Sequence, residues 1–399
     1  CIKANSLVSD LIKEKINFFQ IPHFFNNFLP LTKRDKLFLI SKNIYFYEEL
    51  KKLEFFVMEQ ISFIKLSKIK LIIIDLDNTI WGGVVGEDGI NNLKLGGHDS
   101  IGECYQQIQK CFKYFKEIGI VLAIASKNNE NIALEAIAKH PGMLLKLEDF
   151  VDYKINWNEK SLNIIDIVQD LNIGMDSVLF IDDNPIEREK VKINLENIHV
   201  FDFPKNIYDL PNKLTEIIEL YPINLTNEDK NKTNMYKQNI SRNSAINNTF
   251  TKQRTFEDLQ KFLNLKVFFD TITYENINRV NQLLNKTNQF TLTGKNYTKK
   301  QIEDFLLPND INNFVISAKD KYGNYGLISV LIYQKSPNLI SVKEFVMSCR
   351  VLGRGIENKI LKKINSLSKS SKVVFELKQT GRNDVMVKFL NEAKLEIRN

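Results

Sequence analysis

The chain has 399 residues, 43% apolar and 26% charged, enough to bury cores in two or three domains and unlike the composition of a disordered chain. No apolar run approaches the roughly 18 uncharged residues of a membrane span, and the amino end shows no signal-peptide pattern, so a cytoplasmic protein is expected. Its 55 Lys and Arg against 48 Asp and Glu give +7, but the lysines are spread rather than clustered, so neither nucleic acid nor a membrane is expected as a partner.

Four cysteines, Cys1, Cys104, Cys111 and Cys349, lack the spacing of a metal site and are too few for a disulfide framework. Reduced thiols are expected. The chain opens on Cys1 rather than Met, which leads to the expectation that it is a piece of a longer polypeptide.

Residues 1–68 carry apolar positions at helical spacing with many aromatics, among them Phe18, Phe19, Phe24, Phe25 and Phe28; a packing segment is expected. Then the texture changes. Leu71–Ile74, Val121–Ile124 and Val178–Ile181 are short apolar β-branched runs, with Ile198–Phe201 a weaker fourth. Helical stretches Ile101–Ile118, Asn129–Lys139 and Lys160–Leu171 lie between them. Apolar strands alternating with helices predict a doubly wound parallel sheet covered on both faces, over 69–221.

Residues 222–255 are polar and read as a partly helical linker. From 256 to 399 an α+β domain is predicted: helices Asn278–Leu284 and Thr298–Leu307, strands Phe314–Ala318, Gly326–Tyr333 and Ser341–Met347, a glycine-containing loop, helix Ile356–Leu367 and strand Val373–Leu377.

In a parallel sheet, ligands sit beyond the carboxyl ends of the strands. Each strand of the first domain ends there in groups that phosphate chemistry can use: Asp75 and Asp77, then Ser126 and Lys127, then Asp182 and Asp183. Clustered carboxylates repel one another unless a cation joins them, and an oxygen-only set suits Mg²⁺. A carboxylate beside that ion can attack phosphorus.

Asp75-Leu76-Asp77-Asn78-Thr79 after a buried strand, Ser126, Lys160, and Ile181-Asp182-Asp183-Asn184 resemble, in order, the four motifs of the haloacid dehalogenase-like (HAD) phosphotransferases. The resemblance implies that Asp75 is the nucleophile and Asp77 the general acid and base. It implies Mg²⁺ on Asp75, the backbone carbonyl of Asp77, and Asp182 or Asp183, with Ser126 and Lys160 holding the phosphate. Taken singly, Ser126 and Lys160 could be an ordinary loop Ser and surface Lys. Ala125 follows Thr79 by 46 positions, too few for a large cap domain, so the site is expected to be covered by the second domain or by a macromolecular substrate.

The longer run Asp75–Gly89, with Ser126–Asn129, Asn156-Trp157, Asn184-Pro185, Asn285–Phe290 and Ser348–Gly355, is similar to the FkbH-like family over about residues 70–390. That resemblance implies a HAD-like domain followed by a GNAT-like domain, within a polyketide synthase. The implied substrate is a phosphorylated three-carbon acid such as 1,3-bisphosphoglycerate. Its acyl group would be placed on the phosphopantetheine thiol of an acyl carrier protein.

Arg350-Val-Leu-Gly353-Arg354-Gly355 fits the R-x-x-G-x-G loop of GNAT acyltransferases, whose backbone N–H groups face a phosphate. In a carrier-protein reading it would grip the phosphopantetheine phosphate and direct the thiol toward Asp75. The resemblance places Asn288 and Gln289 in the acyl site between the domains, although the cluster also reads as a capped helix end. Many relatives carry Cys, an acyl acceptor, where this chain has Ala125, so either the acyl group passes directly to the carrier thiol or a Cys has been replaced here. Trp81 reads equally as packing or as a substrate contact, Cys349 as structural, and His98 and His140 are not needed. A stand-alone phosphatase or phosphotransferase and an acyl-CoA-dependent transferase are the competing readings.

Overall fold

The computed structural model describes residues 69–399 apart from 98, 218–219, 221–224, 251–254, 308–309, 369–370 and 399. The expected packing segment 1–68, with Cys1, and also His98 lie outside the described residues.

Five parallel strands, β1 (Leu71–Ile74), β2 (Val121–Ser126), β3 (Phe150–Ile155), β4 (Val178–Ile181) and β5 (His199–Val200), form a sheet of order β3-β2-β1-β4-β5. The strands are apolar throughout because both faces are covered. Ile72 and Ile74 point into a core with Phe112 and Phe115 of helix α1 (Ser100–Glu117), while Leu71 and Ile73 point into another with Ile164 and Ile167 of α3 (Lys160–Leu171). Helices α2 (Glu130–Lys139) and α4 (Pro185–Asn194) follow β2 and β4. This is the doubly wound sheet expected from the sequence. The sequence reading passed over β3, whose Asp152 and Lys154 break the apolar run; it is an edge strand, and that pair is half-buried on it.

The region 222–255 contains α5 (Lys232–Thr249). Its polar composition does not mark an exposed tether. Tyr236 packs in a core of the parallel sheet and Ile246 in the core of the second half, so both halves bury the helix. Arg242, buried between them, donates from Nε to Asp320 Oδ2 at 2.5 Å and from Nη2 to Oδ1 at 2.9 Å. A paired charge can be buried where an isolated one cannot.

Beyond α6 (Phe256–Leu263) the second half is a six-stranded mixed sheet, β11-β10-β9-β8-β7-β6. Its strands are β6 (Lys266–Asp270), β7 (Ile311–Asp320), β8 (Gly323–Ser336), β9 (Leu339–Met347), β10 (Lys372–Glu376) and β11 (Glu396–Arg398). Helices α7 (Ile277–Lys286), α8 (Ile356–Ser368) and α9 (Asp384–Glu392) pack on it. The α+β character expected here is the one observed.

β9 and β10 run parallel from Leu339↔Lys372 to Val342↔Phe375. Beyond these pairs the segment after α7 lies between them: Leu292 N–H donates to Phe345 O at 3.0 Å, and Lys378 N–H to Leu292 O at 3.1 Å. Buried Glu344 accepts from the backbone N–H groups of Leu292 and Thr293. The chain just before this segment, Asn288-Gln289, is thereby held against the first half. No helix among the described residues is long and apolar enough to cross a membrane.

Candidate active site and a second cleft

The connections reverse direction at β1 and β4, which pair from Leu71↔Val178 to Ile74↔Ile181. That reversal opens a crevice at their carboxyl ends. Asp75 enters it from β1, its N–H donating to Ile181 O at 3.0 Å, and Asp182 from β4. Carboxylate oxygens of Asp75, Asp182 and Asp183 lie within 4.8 Å of one another. Asn184 fixes the turn below them by capping α4, with its own N–H on Asp182 Oδ1 at 2.8 Å.

Lys160, the first residue of α3, is buried between two of these groups, with Nζ 2.9 Å from Asp75 Oδ1 and 2.5 Å from Asp182 Oδ2. Burial opposes its charge, but Asp75 and Asp182 outweigh that and raise its pKa. One ammonium cannot neutralise three carboxylates. Burial, then the Asp75 charge, raises the Asp182 pKa, and burial with Asp75 and Asp182 lifts Asp183 to about 6. Hard oxygen donors, mutual repulsion and this spacing fit a divalent cation of the Mg²⁺ type.

Asp77 is held apart from the cluster. Its Oδ1 accepts Trp81 Nε1–H at 2.8 Å and Val85 N–H at 3.0 Å, and its Oδ2 accepts Asn128 Nδ2–H at 2.8 Å. Its side chain is therefore committed to neighbours, leaving the backbone carbonyl as the part of Asp77 free to face a cation. Burial raises the carboxyl pKa against those donors, which favours a proton-carrying group.

The turn that aims Asp77 is local chemistry. Asn78 adopts a left-handed conformation (φ 51°), which Asn tolerates, and its Oδ1 accepts Gly83 N–H at 2.9 Å. Gly83 has φ 101°, and a Cβ there would come 2.7 Å from Asp88 Oδ2. Thr79 is buried, and its hydroxyl oxygen finds no partner.

Ser126, the last residue of β2, is buried. Ala125 beside it sits wholly in the apolar core with Ile164 and Val168. Lys127 pairs with Glu187 at 3.1 Å. The sequence reading gave no role to Asn128, which it quoted only within the run Ser126–Asn129, and left out Arg188, whose Nη1 clamps the carbonyls of Asp182 and Asp183 at 2.8 and 2.7 Å. The groove beside Asp183 is lined by Asn78, Tyr105, Arg188, Lys205 and Lys213, all of the first half. Its basic side chains suit an anionic substrate.

Among the described residues, none of the second half lines this groove. The second half meets the first at the amino ends of the strands, where Asn172 Nδ2–H donates to Cys349 O at 2.6 Å. There Lys70 and Ser177, which precede β1 and β4, line one cleft with Asn288, Gln289, Ser348 and Arg350. Lys70 lies five positions before Asp75, so this cleft is about 16 Å from the aspartates at roughly 3.3 Å per residue. The expectation that the Arg350 loop faces Asp75 is not met, because the two occupy opposite ends of the same strands.

Of Arg350, Gly353, Arg354 and Gly355, only Arg350 lines that cleft. Gly353 N–H donates instead to Glu357 Oε1 at 2.9 Å, so a carboxylate of this chain occupies the glycine loop. Arg354 is buried, donates from Nη2 to Asn239 and Asn243, and lies over the Tyr325 ring with Cζ 5.1 Å from its centroid. Gly355 is packed against α6, where a Cβ would come 2.9 Å from Phe256 Cβ.

No family model matches the sequence, and no curated protein matches it. Among solved structures it is similar to the N-terminal part of the protein BF1531 from Bacteroides fragilis, which contains a phosphatase domain complexed with Mg. The identity is 32% over 56% of this chain, at a TM-score of 0.41. The chain spans 60% of that structure's length. The 3-deoxy-D-manno-octulosonate 8-phosphate phosphatase from Moraxella catarrhalis, in complex with magnesium, phosphate and KDO, is 16% identical over 41% of this chain and 91% of its own, TM-score 0.25. The ribosomal-protein-S18-alanine N-acetyltransferase from Escherichia coli is 11% identical over 32% of this chain and 76% of its own, TM-score 0.26.

Proposed function

We propose that the chain is an Mg²⁺-dependent phosphatase acting at Asp75 on a phosphorylated three-carbon acid, and that its acyl group passes to the phosphopantetheine thiol of an acyl carrier protein. The observation that carries the phosphatase part is the convergence of Asp75, Asp182 and Asp183 around Lys160 at the switch point of the sheet. These carboxylates and the Asp77 carbonyl would hold Mg²⁺, which would supply the positive charge that lets a carboxylate approach a phosphate.

Asp75 forms an O–P bond as the substrate's O–P bond breaks, and Asp77 gives its proton to the leaving oxygen. Asp77 then takes a proton from the water that attacks phosphorus and frees Asp75. Trp81, Val85 and Asn128 fix the Asp77 carboxyl for both transfers. Lys160 and Ser126 steady the charge developing on the phosphoryl oxygens.

The acyl part rests on the resemblance to the FkbH-like family, and in particular on the meeting of Asn288, Gln289 and Arg350 in one cleft. In a bisphosphorylated acid the carrier thiolate attacks the acyl-phosphate carbonyl and phosphate leaves, while Asp75 removes the phosphate ester. Ala125 offers no thiol, so transfer to the carrier is direct. The test incubates protein, Mg²⁺, 1,3-bisphosphoglycerate and phosphopantetheinylated carrier and weighs the carrier intact. A glyceryl adduct is expected; its absence with each phosphorylated three-carbon acid, alongside phosphate release, leaves the phosphatase alone. That second reading is favoured by the separation of Arg350 from Asp75.

A further inference from the structure

Arg188 is anchored beside the aspartates without being used up by them. It lies in the first turn of α4, and its Nη1 donates to the carbonyls of Asp182 and Asp183 at 2.8 and 2.7 Å. Its Cζ stands 6.0 Å from the centroid of the Phe203 ring. These contacts occupy one nitrogen of the guanidinium. Nε and Nη2 form no hydrogen bond among the described residues, and neither is an atom buried without a partner, so both are open to solvent. A guanidinium edge with two free N–H donors takes a carboxylate or phosphate through two parallel bonds. Because the anchors already hold the fork still, little side-chain freedom remains to be lost when such a group binds.

The surroundings of Arg188 select the same class of ligand. It lines the groove beside Asp183 with Tyr105, Lys205 and Lys213. The Tyr105 hydroxyl donates to Asn78 O at 3.2 Å, which leaves the three cations as the donors for a ligand. Lys205 and Lys213 are exposed and form no ion pair or hydrogen bond among the described residues. The acids of the groove are Asp183, which belongs to the cation cluster, and exposed Asp202. Three cations against one uncommitted carboxylate leave the groove positive, in addition to the charge of Lys160 at the phosphoryl position.

We propose that Arg188 is a specificity-determining residue of the Asp75 site. Its Nε–Nη2 edge binds a second anionic group of the substrate, a carboxylate or a second phosphate, separate from the phosphoryl group that Asp75 attacks. Lys205 and Lys213 add charge from the same groove. The inference rests on the phosphatase reading and deepens it: the substrate is recognised by two anions, and an ester with one is a poor substitute. Since Nη1 is bonded to the backbone of Asp182 and Asp183, a group held by the other two nitrogens is within reach of the molecule whose phosphate meets Asp75. Holding that second group also orients the ester for attack.

Glycerol 3-phosphate and 3-phosphoglycerate share three carbons and a phosphate ester and differ in a hydroxymethyl against a carboxylate, so the ratio of their kcat/KM values isolates the second anion. Glycerol 1,3-bisphosphate carries a second phosphate in place of the carboxylate and tells which of the two anions is preferred. With Mg²⁺ the native chain should favour at least one of the dianionic compounds over glycerol 3-phosphate by about tenfold or more, from the usual worth of a hydrogen bond to a charged group. Arg188→Met should remove that preference. Arg188→Lys, which keeps the charge and loses the paired donors, should restore only part of it. Lys205→Met and Lys213→Met should each lower it about two- to threefold, as exposed charges do. A role confined to holding Asp182 and Asp183 would slow all three esters alike and leave the ratios unchanged. Calorimetric titration of the Asp75→Asn chain with Mg²⁺ and the same compounds reads the preference as affinity. Phosphate release that does not distinguish the esters, or a distinction that Arg188→Met leaves unmoved, overturns the proposal while the phosphatase reading stands. Should no ester turn over, the phosphatase reading falls and the titration decides: an affinity preference that needs Arg188 upholds the assignment, and its lack overturns it. Should Arg188→Met fail to fold, Arg188→Lys decides.

Discussion

The two ends of the β1–β4 pair differ in charge. At the carboxyl ends, Asp75, Asp182 and Asp183 crowd around a single lysine; at the amino ends, Lys70, Lys232, Arg279, Lys286 and Arg350 line one cleft with Glu228, Asp229 and Asp176. The carboxyl end concentrates one sign of charge in a buried crevice, an arrangement that costs stability unless a cation is bound, whereas the amino end sets cations and acids side by side. The contrast teaches that one rigid strand pair can keep a cation-demanding acidic site at one end apart from a cleft of mixed charge at the other, and the acidic end is tested by removing its own charges.

The largest effect belongs to Asp75→Asn. Replacing the attacking carboxylate with an amide should lower phosphate release by a factor on the order of 1,000 or more, read as turnover of a phosphate monoester with Mg²⁺. The fold should persist, because the amide keeps the shape of the side chain. Activity within tenfold of native would remove Asp75 from the chemistry and with it the meaning of the acidic end.

Lys160→Met tests how much of the acidic end is held by its own cation. The change leaves Asp75 and Asp182 facing each other in a buried crevice, and breaking such a pair costs about 3–5 kcal/mol. Denaturant unfolding in EDTA should show that loss, and Mg²⁺ should recover part of it. Equal losses with and without Mg²⁺ would mean that no cation binds among the three carboxylates.

Asp183 supplies a pH signature. Its carboxyl is raised to about 6, first by burial and then by Asp75 and Asp182, so the folded metal-free chain favours the protonated form. That contribution to stability is present below the unfolded carboxylate pKa of about 3.8 and is lost as pH rises through about 6. Metal binding must displace the same proton, so Mg²⁺ affinity should fall about tenfold per pH unit below 6. Calorimetric titration between pH 5 and 7.5 checks this; a flat affinity would exclude Asp183 as a ligand.

Much of the acidic end was legible in the sequence, because each of its groups directly follows an apolar strand and the parallel sheet brings strand ends together. The cleft at the amino ends was not. Its residues come from the approach to β1, from α5, α7 and the loop after β9, and no local period joins Lys70 to Lys232 or Arg350. The polar stretch 222–255 reads as a partly helical linker, and what its composition does not show is that both halves bury α5, with Asn239 and Arg242 in interior positions. The R-x-x-G-x-G pattern predicted the loop between β9 and α8 but not its occupant, since Glu357 lies only two residues past the motif and reads as an ordinary first-turn acid.

Trp81 gives the smallest effect and the sharpest test of what the sequence left open, packing or substrate contact. The indole is fully buried, and its N–H reaches Asp77 Oδ1 at 2.8 Å, so it packs and also positions the proton-carrying group. Trp81→Phe keeps most of the packing and removes one of three donors that hold the Asp77 carboxylate. A hydrogen bond to a charged group contributes about 1.5–3 kcal/mol, and the two remaining donors cushion the loss, so turnover should drop about tenfold with KM little changed. Because the indole lowers the Asp77 pKa, its removal should move the Asp77 limb of the pH–rate profile upward. A change in KM alone would make Trp81 a substrate contact, and an unmoved pH limb would make it packing only. A slower enzyme with a displaced limb would tie the tryptophan to the proton on Asp77.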